Sequence, residues 1–76
     1  MNSPRRKELK KIYDLISEAK NRLEIVKDEE EEYKDNMPEN LQFSEKYEKS
    51  EEIVDNLDEA IDELDSILET IEEACE

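Results

Sequence analysis

Asp35-Asn36-Met37-Pro38-Glu39-Asn40-Leu41-Gln42-Phe43-Ser44 is the stretch on which the fold turns. Pro38 lacks a backbone N–H and disfavours helix at Met37, while Ser44 can cap the free N–H groups of a helix that starts there. The stretch reads as a turn over about residues 36–43 between two helical segments. Before it, Leu9, Ile12, Ile16, Ala19, Leu23, Val26, Glu30, Tyr33 and Met37 follow alternating steps of three and four. After it, Phe43, Tyr47, Ser50, Val54, Leu57, Ile61, Leu64, Leu68, Ile71 and Cys75 keep the same steps. Each is a heptad seam with one polar member, Glu30 in the first and Ser50 in the second. Ser3 is a candidate N-cap with Pro4 at the first helical position. The expected elements are a helix over 4–35, a turn over 36–43 and a helix over 44–75, in a single unit spanning 1–76.

Folding the helices antiparallel about the turn pairs the seam residues at a residue-number sum of 80, so Val26 meets Val54 and Ile16 meets Leu64. Glu30 then meets Ser50, and a hydroxyl and a carboxylate in one layer can hydrogen-bond and fix the register. The e positions face one another at a sum of 78: Arg6 with Glu72, Tyr13 with Asp65, Lys20 with Asp58, Lys27 with Glu51, Lys34 with Ser44. Three of those five pairs set a base against an acid, which favours the antiparallel orientation. The fold class is all-α: an antiparallel two-helix coiled-coil hairpin, each helix about 48 Å long for about 32 residues.

On the other flank, the g positions of the second helix are Ile53, Ala60, Ile67 and Ala74, with Leu15 of the first helix across from Ile67. Three apolar positions per heptad exceed what one neighbouring helix covers, so the hairpin is expected to form a homodimer, a four-helix bundle. A core drawn from 34% hydrophobic residues in 76 is thin and agrees with that expectation.

Charge is uneven. Residues 1–27 carry eight bases and four acids, and residues 28–76 carry three bases and 21 acids, for a net of -14. The outward b and f positions of the second helix are almost all carboxylates, successive members of a row lying about 10.5 Å apart. Asp55, Asp58, Glu59, Asp62, Asp65 and Glu69 are the central candidates for a contact with a basic nucleic-acid-binding protein, in a groove that otherwise holds phosphates. The bland alternative is a solvated face that keeps a small helical protein soluble.

Other classes are excluded by what is missing. Without glycine there is no phosphate-cradling loop, dinucleotide fingerprint or EF-hand loop. Without histidine, and with Cys75 as the one thiol, there is no zinc set and no nucleophile–base pair. The tract Asp28 to Glu32 points around its helix and cannot converge on one ion, and no pocket is in view to shift a carboxylate pKa. The chain is therefore expected to be no enzyme and to need no cofactor. With no apolar run long enough for a membrane and a charged start after Met1, a cytoplasmic protein of a bacterial cell is expected. Arg5, Arg6, Lys7, Lys10 and Lys11 lie beside the acidic end of the second helix, so direct nucleic-acid binding is not expected. Tyr33, Met37, Leu41, Phe43 and Tyr47 gather near the turn as a seal or a small apolar tip.

Residues 35–45, set between an acidic helix end and Glu51-Glu52-Ile53-Val54-Asp55-Asn56-Leu57-Asp58-Glu59-Ala60-Ile61-Asp62-Glu63-Leu64, resemble the turn of short uncharacterised acidic helical-hairpin proteins of bacteria and phages. The resemblance covers about residues 28–65 and implies the hairpin fold; it carries no activity with it. In kind, though not in sequence, the chain is similar to phage DNA mimics that block restriction, recombination or CRISPR nucleases, which would imply an inhibitor. The competing reading is a structural or adaptor hairpin that acts through the apolar flank of its second helix.

Overall fold

A computed structural model describes residues 1–76. Two helices, α1 (Ser3–Asp35) and α2 (Glu45–Cys75), pack antiparallel, and there are no strands. α1 begins one residue earlier than its pattern predicts. Its cap is Asn2, not Ser3: the Asn2 side chain accepts from the Arg5 N–H at 3.0 Å, and Ser3 and Pro4 already lie in the first turn. An amide oxygen caps as well as a hydroxyl, so the backbone settles on the earlier of two adjacent candidates.

At the far end the Asn36 N–H reaches back to the Glu32 carbonyl at 3.0 Å and the Met37 N–H to the Lys34 carbonyl at 3.2 Å, closing α1 just ahead of Pro38. A short 3₁₀ turn, Glu39–Leu41, follows, with the Leu41 N–H on the Pro38 carbonyl at 2.8 Å. Ser44 then serves both sides of the junction. Its hydroxyl donates to the Leu41 carbonyl at 2.5 Å and accepts from the Tyr47 N–H at 3.4 Å, which starts α2. No residue has a positive φ, so the reversal is made without the glycine that the sequence lacks.

One seam assignment fails at this turn. Phe43 is 94% exposed, because it precedes the Ser44 cap and the helical period does not extend to it. Met37 fills the end of the hairpin instead and is buried. The rest of the core belongs to α2: Val54, Ile61 and Leu68, seven residues apart, with Ser50 in line before them. α1 contributes no fully buried residue and lies on this row through half-buried Leu9, Ile16 and Leu23.

The molecule measures 60 × 14 × 12 Å, the turn and termini extending beyond the packed helices. Its radius of gyration is 17.4 Å, against about 11 Å for a compact chain of this length. Such a rod has two long flanks, and the helices treat them differently.

Candidate functional site

The seam register holds where it is most specific. The Ser50 hydroxyl donates to Glu30 Oε1 at 2.7 Å, joining the two polar members of the apolar rows in one layer. Ser50 is 1% exposed, and no buried side-chain polar atom lacks a partner.

The e flank closes, but with other partners than a sum of 78 assigns. Tyr13 donates to Glu72 at 2.7 Å, and Lys20 and Lys27 meet Asp65 and Asp58, each at 2.5 Å. All three pairs have a residue-number sum of 85 rather than 78. The cause is the tilt of side chains toward the N-terminus of their own helix. In an antiparallel pair, residues whose sum exceeds that of the seam lean toward each other, and those below it lean apart. Lys20 therefore reaches past Asp58 to Asp65, and Arg6 is left without Glu72. Lys34 forms no ion pair; its ammonium lies 5.8 Å from the Tyr47 ring centroid.

These contacts raise three pKa values. Hydrogen bonding to Asp65 and to Asp58 raises Lys20 and Lys27 above 10.5, against a smaller opposing effect of desolvation. The Glu72 carboxylate accepting from Tyr13 raises that phenol above 10.0.

Because the lysine stems lie along the groove, α1 turns its e edge toward α2 and its d edge away. Tyr13, Lys20, Lys27 and Lys34 are half-buried. The d residues Ile12, Val26 and Tyr33, assigned to the seam by their spacing, are 37%, 50% and 53% exposed. They extend the flank of Leu15 (66% exposed), Ile53, Ala60, Ile67 (46% exposed) and Ala74. Shallow grooves follow this side, one lined by Leu15, Ala19, Leu23 and Val26 with Glu18 and Arg22 at its rim, another near the turn by Tyr33 and Ile53 with Lys46 and Lys49. The signal that could have revealed the d residues was the long-stemmed base at nearly every e position of α1.

On the outward side of α2 the six candidate carboxylates divide. Asp55, Glu59, Asp62 and Glu69 are exposed and have no basic partner. Asp58 and Asp65 are held by Lys27 and Lys20 and point along the seam's edge rather than outward. Glu48, in the same outward row, is exposed and unpaired, as are Glu51, which counting sets against Lys27, and Glu63, at the edge nearest the apolar flank. No group of three or more acidic or thiol side chains converges to hold a metal ion, and no helix is long and apolar enough to cross a membrane. Cys75 is free and half-buried.

What the fold and surfaces define is a rod-like antiparallel helical hairpin with one acidic face and one apolar flank. No protein-family model matches the chain, and no curated protein and no solved structure is detectably similar to it.

Proposed function

We propose that the chain is a non-catalytic inhibitor whose acidic α2 face occupies the nucleic-acid-binding surface of a basic protein, such as a DNA-handling nuclease. One observation carries the reading: Asp55, Glu59, Asp62 and Glu69 remain exposed and unpaired on one continuous helix, while Arg5, Arg6, Lys7 and Lys11 also form no ion pair. α2 carries Glu45, Glu48, Glu51, Glu52, Asp55, Asp58, Glu59, Asp62, Glu63, Asp65, Glu69, Glu72 and Glu73 in 31 residues. At 1.5 Å per residue that is one carboxylate per about 3.6 Å, close to the 3.4 Å per charge along one DNA strand. Setting aside those held by Lys20, Lys27, Lys49 or Tyr13, the spacing is about 5 Å. Rows of carboxylates that together reach this axial density can displace phosphates from a basic groove and gain the same release of counterions.

The test is an affinity capture from bacterial lysate with the tagged chain, eluted by rising salt and then by duplex DNA. A basic nucleic-acid-binding protein released by DNA, and no longer held by the triple variant Asp55→Lys/Asp62→Lys/Glu69→Lys, supports the reading. A partner indifferent to DNA and to the charge reversals would sink it. The exposure of Leu15 and Ile67 favours a second reading, an adaptor that docks through its apolar flank, and that reading predicts the indifferent partner.

A further inference from the structure

The apolar flank has no cover within the hairpin, and its charge borders say what covers it. The chain exposes 5917 Å², whereas a compact monomer of 9.1 kDa exposes about 4,900 Å². That excess follows from the slender 60 × 14 × 12 Å shape, so what points to a partner is which side chains the rod exposes. Of the six exposed large apolar side chains within the helices, Ile12, Leu15, Val26, Tyr33 and Ile67 lie on the d and g side and Ile25 lies beside it at a c position, while the e side is closed by its ion pairs.

We propose that two copies of the chain pair through this flank about a two-fold axis along the hairpin, so that each α1 lies antiparallel on the partner's α2 in a four-helix bundle. The axis follows from charge. Laying two flanks together by a two-fold across the hairpin would stack α2 on α2, and each α2 carries thirteen acids against the two bases Lys46 and Lys49. With the axis along the hairpin, every helix meets its opposite. The basic first half of α1 adjoins the acidic second half of the partner's α2, and the tract Asp28 to Glu32 adjoins the partner's Lys46 and Lys49. The intramolecular register then repeats between copies. Leu15 lies against the partner's Ile67 and Val26 against the partner's Ile53, with a thinner layer of Ala19 and the partner's Ala60 between them. Arg22, held by Glu18 at 2.7 Å, crosses that layer. The partner's unpaired Glu63 stands there at the same sum of 85 at which Lys20 and Lys27 find their aspartates. This inference does not depend on the acidic-face reading. It places the two acidic faces on opposite sides of the bundle, one binding face per chain.

The experiment combines the mass of the intact chain in solution with cross-linking between singly substituted chains. Light scattering should give about 18 kDa, twice the chain mass, at concentrations of about 10 µM and above. Leu15→Asp should return it to 9.1 kDa with its helical circular dichroism retained, since Leu15 is 66% exposed in the hairpin. For orientation, a Leu15→Cys/Cys75→Ser chain mixed with an Ile67→Cys/Cys75→Ser chain should oxidise to a covalent dimer. An Ala60→Cys/Cys75→Ser chain mixed with the Ile67→Cys/Cys75→Ser chain should not. A monomer at every concentration would leave the flank to a different protein and overturn the proposal, as would a trimer or larger assembly. Cross-linking between positions 60 and 67 in place of 15 and 67 would overturn the orientation.

Discussion

Along the e flank the helices are joined by three pairs at heptad intervals, Tyr13 with Glu72, Lys20 with Asp65 and Lys27 with Asp58, whereas along the d and g flank Leu15, Val26 and Ile67 face solvent. Both flanks border the same seam. The charged one is closed and the apolar one open, the reverse of what hydrophobicity alone would arrange. The difference lies in reach. A lysine stem spans the groove edge, covers apolar surface on its way and still delivers its charge to an aspartate, so a hairpin can seal one side with long polar chains. Isoleucine, valine and alanine are too short to seal the other side and must be covered by another surface.

If that contrast is sound, the costs of truncation should differ sharply across the seam. Leu68 is 7% exposed in the closed packing, and Leu68→Ala should lower unfolding stability by about 2–5 kcal/mol. Val26 is 50% exposed, and Val26→Ala should cost the isolated hairpin under about 1 kcal/mol. Urea titrations at several protein concentrations separate the two. The Leu68 loss should appear at every concentration, and the Val26 loss should grow as the chains associate. Equal costs in dilute solution would mean that the d residues of α1 belong to the core after all.

The polar layer sharpens the contrast from within the seam. Ser50→Ala removes the only hydrogen bond that holds Glu30 in the interface, and should cost about 1–3 kcal/mol, toward the lower end because Glu30 is half-buried. Replacing both partners, Glu30→Leu with Ser50→Val, should restore or exceed the original stability, since two matched apolar groups leave nothing unsatisfied. Were the double variant to remain as unstable as Ser50→Ala, the layer would be contributing something other than a satisfied carboxylate.

The hairpin was legible in the sequence because its signals are local and redundant: two heptad rows, a proline after the first, a capping serine before the second, and two polar entries that meet when the rows are folded together. The Glu30–Ser50 layer is the clearest case, since each residue is an anomaly alone and a pair only in one register. The e-flank partners were not legible from position counting, which places residues on a cylinder and ignores the tilt of their side chains; that tilt moved the partners of Tyr13, Lys20 and Lys27 by one heptad. The exposure of Val26 and Tyr33 was hidden for a related reason. Spacing cannot tell which edge of an apolar stripe a partner helix covers, and the lysines opposite decided it. Of the acidic face, Asp55, Glu59, Asp62 and Glu69 stand where the pattern puts them, while Asp58 and Asp65 are spent inside the hairpin.

The smallest expected effect is on the closed flank and gives the most direct test of its register. Hydrogen bonding in the fold raises the pKa values of Lys20 and Lys27 above 10.5 and of Tyr13 above 10.0, so each group binds its proton more tightly folded than unfolded. Their contribution is fully present below the unfolded values and is lost as pH rises through the folded ones. Thermal unfolding should therefore show no loss from these groups up to about pH 10 and a decline above it, shallower than the effect of Ser50→Ala because the pairs are solvent-accessible. A charge exchange locates the source. Lys20→Glu alone should lower the midpoint at neutral pH by setting two acids together, and Lys20→Glu with Asp65→Lys should recover it. Lys20→Glu with Asp58→Lys should recover less, since the side chains at a sum of 78 lean apart. Recovery through position 58 rather than 65 would restore the register of simple counting.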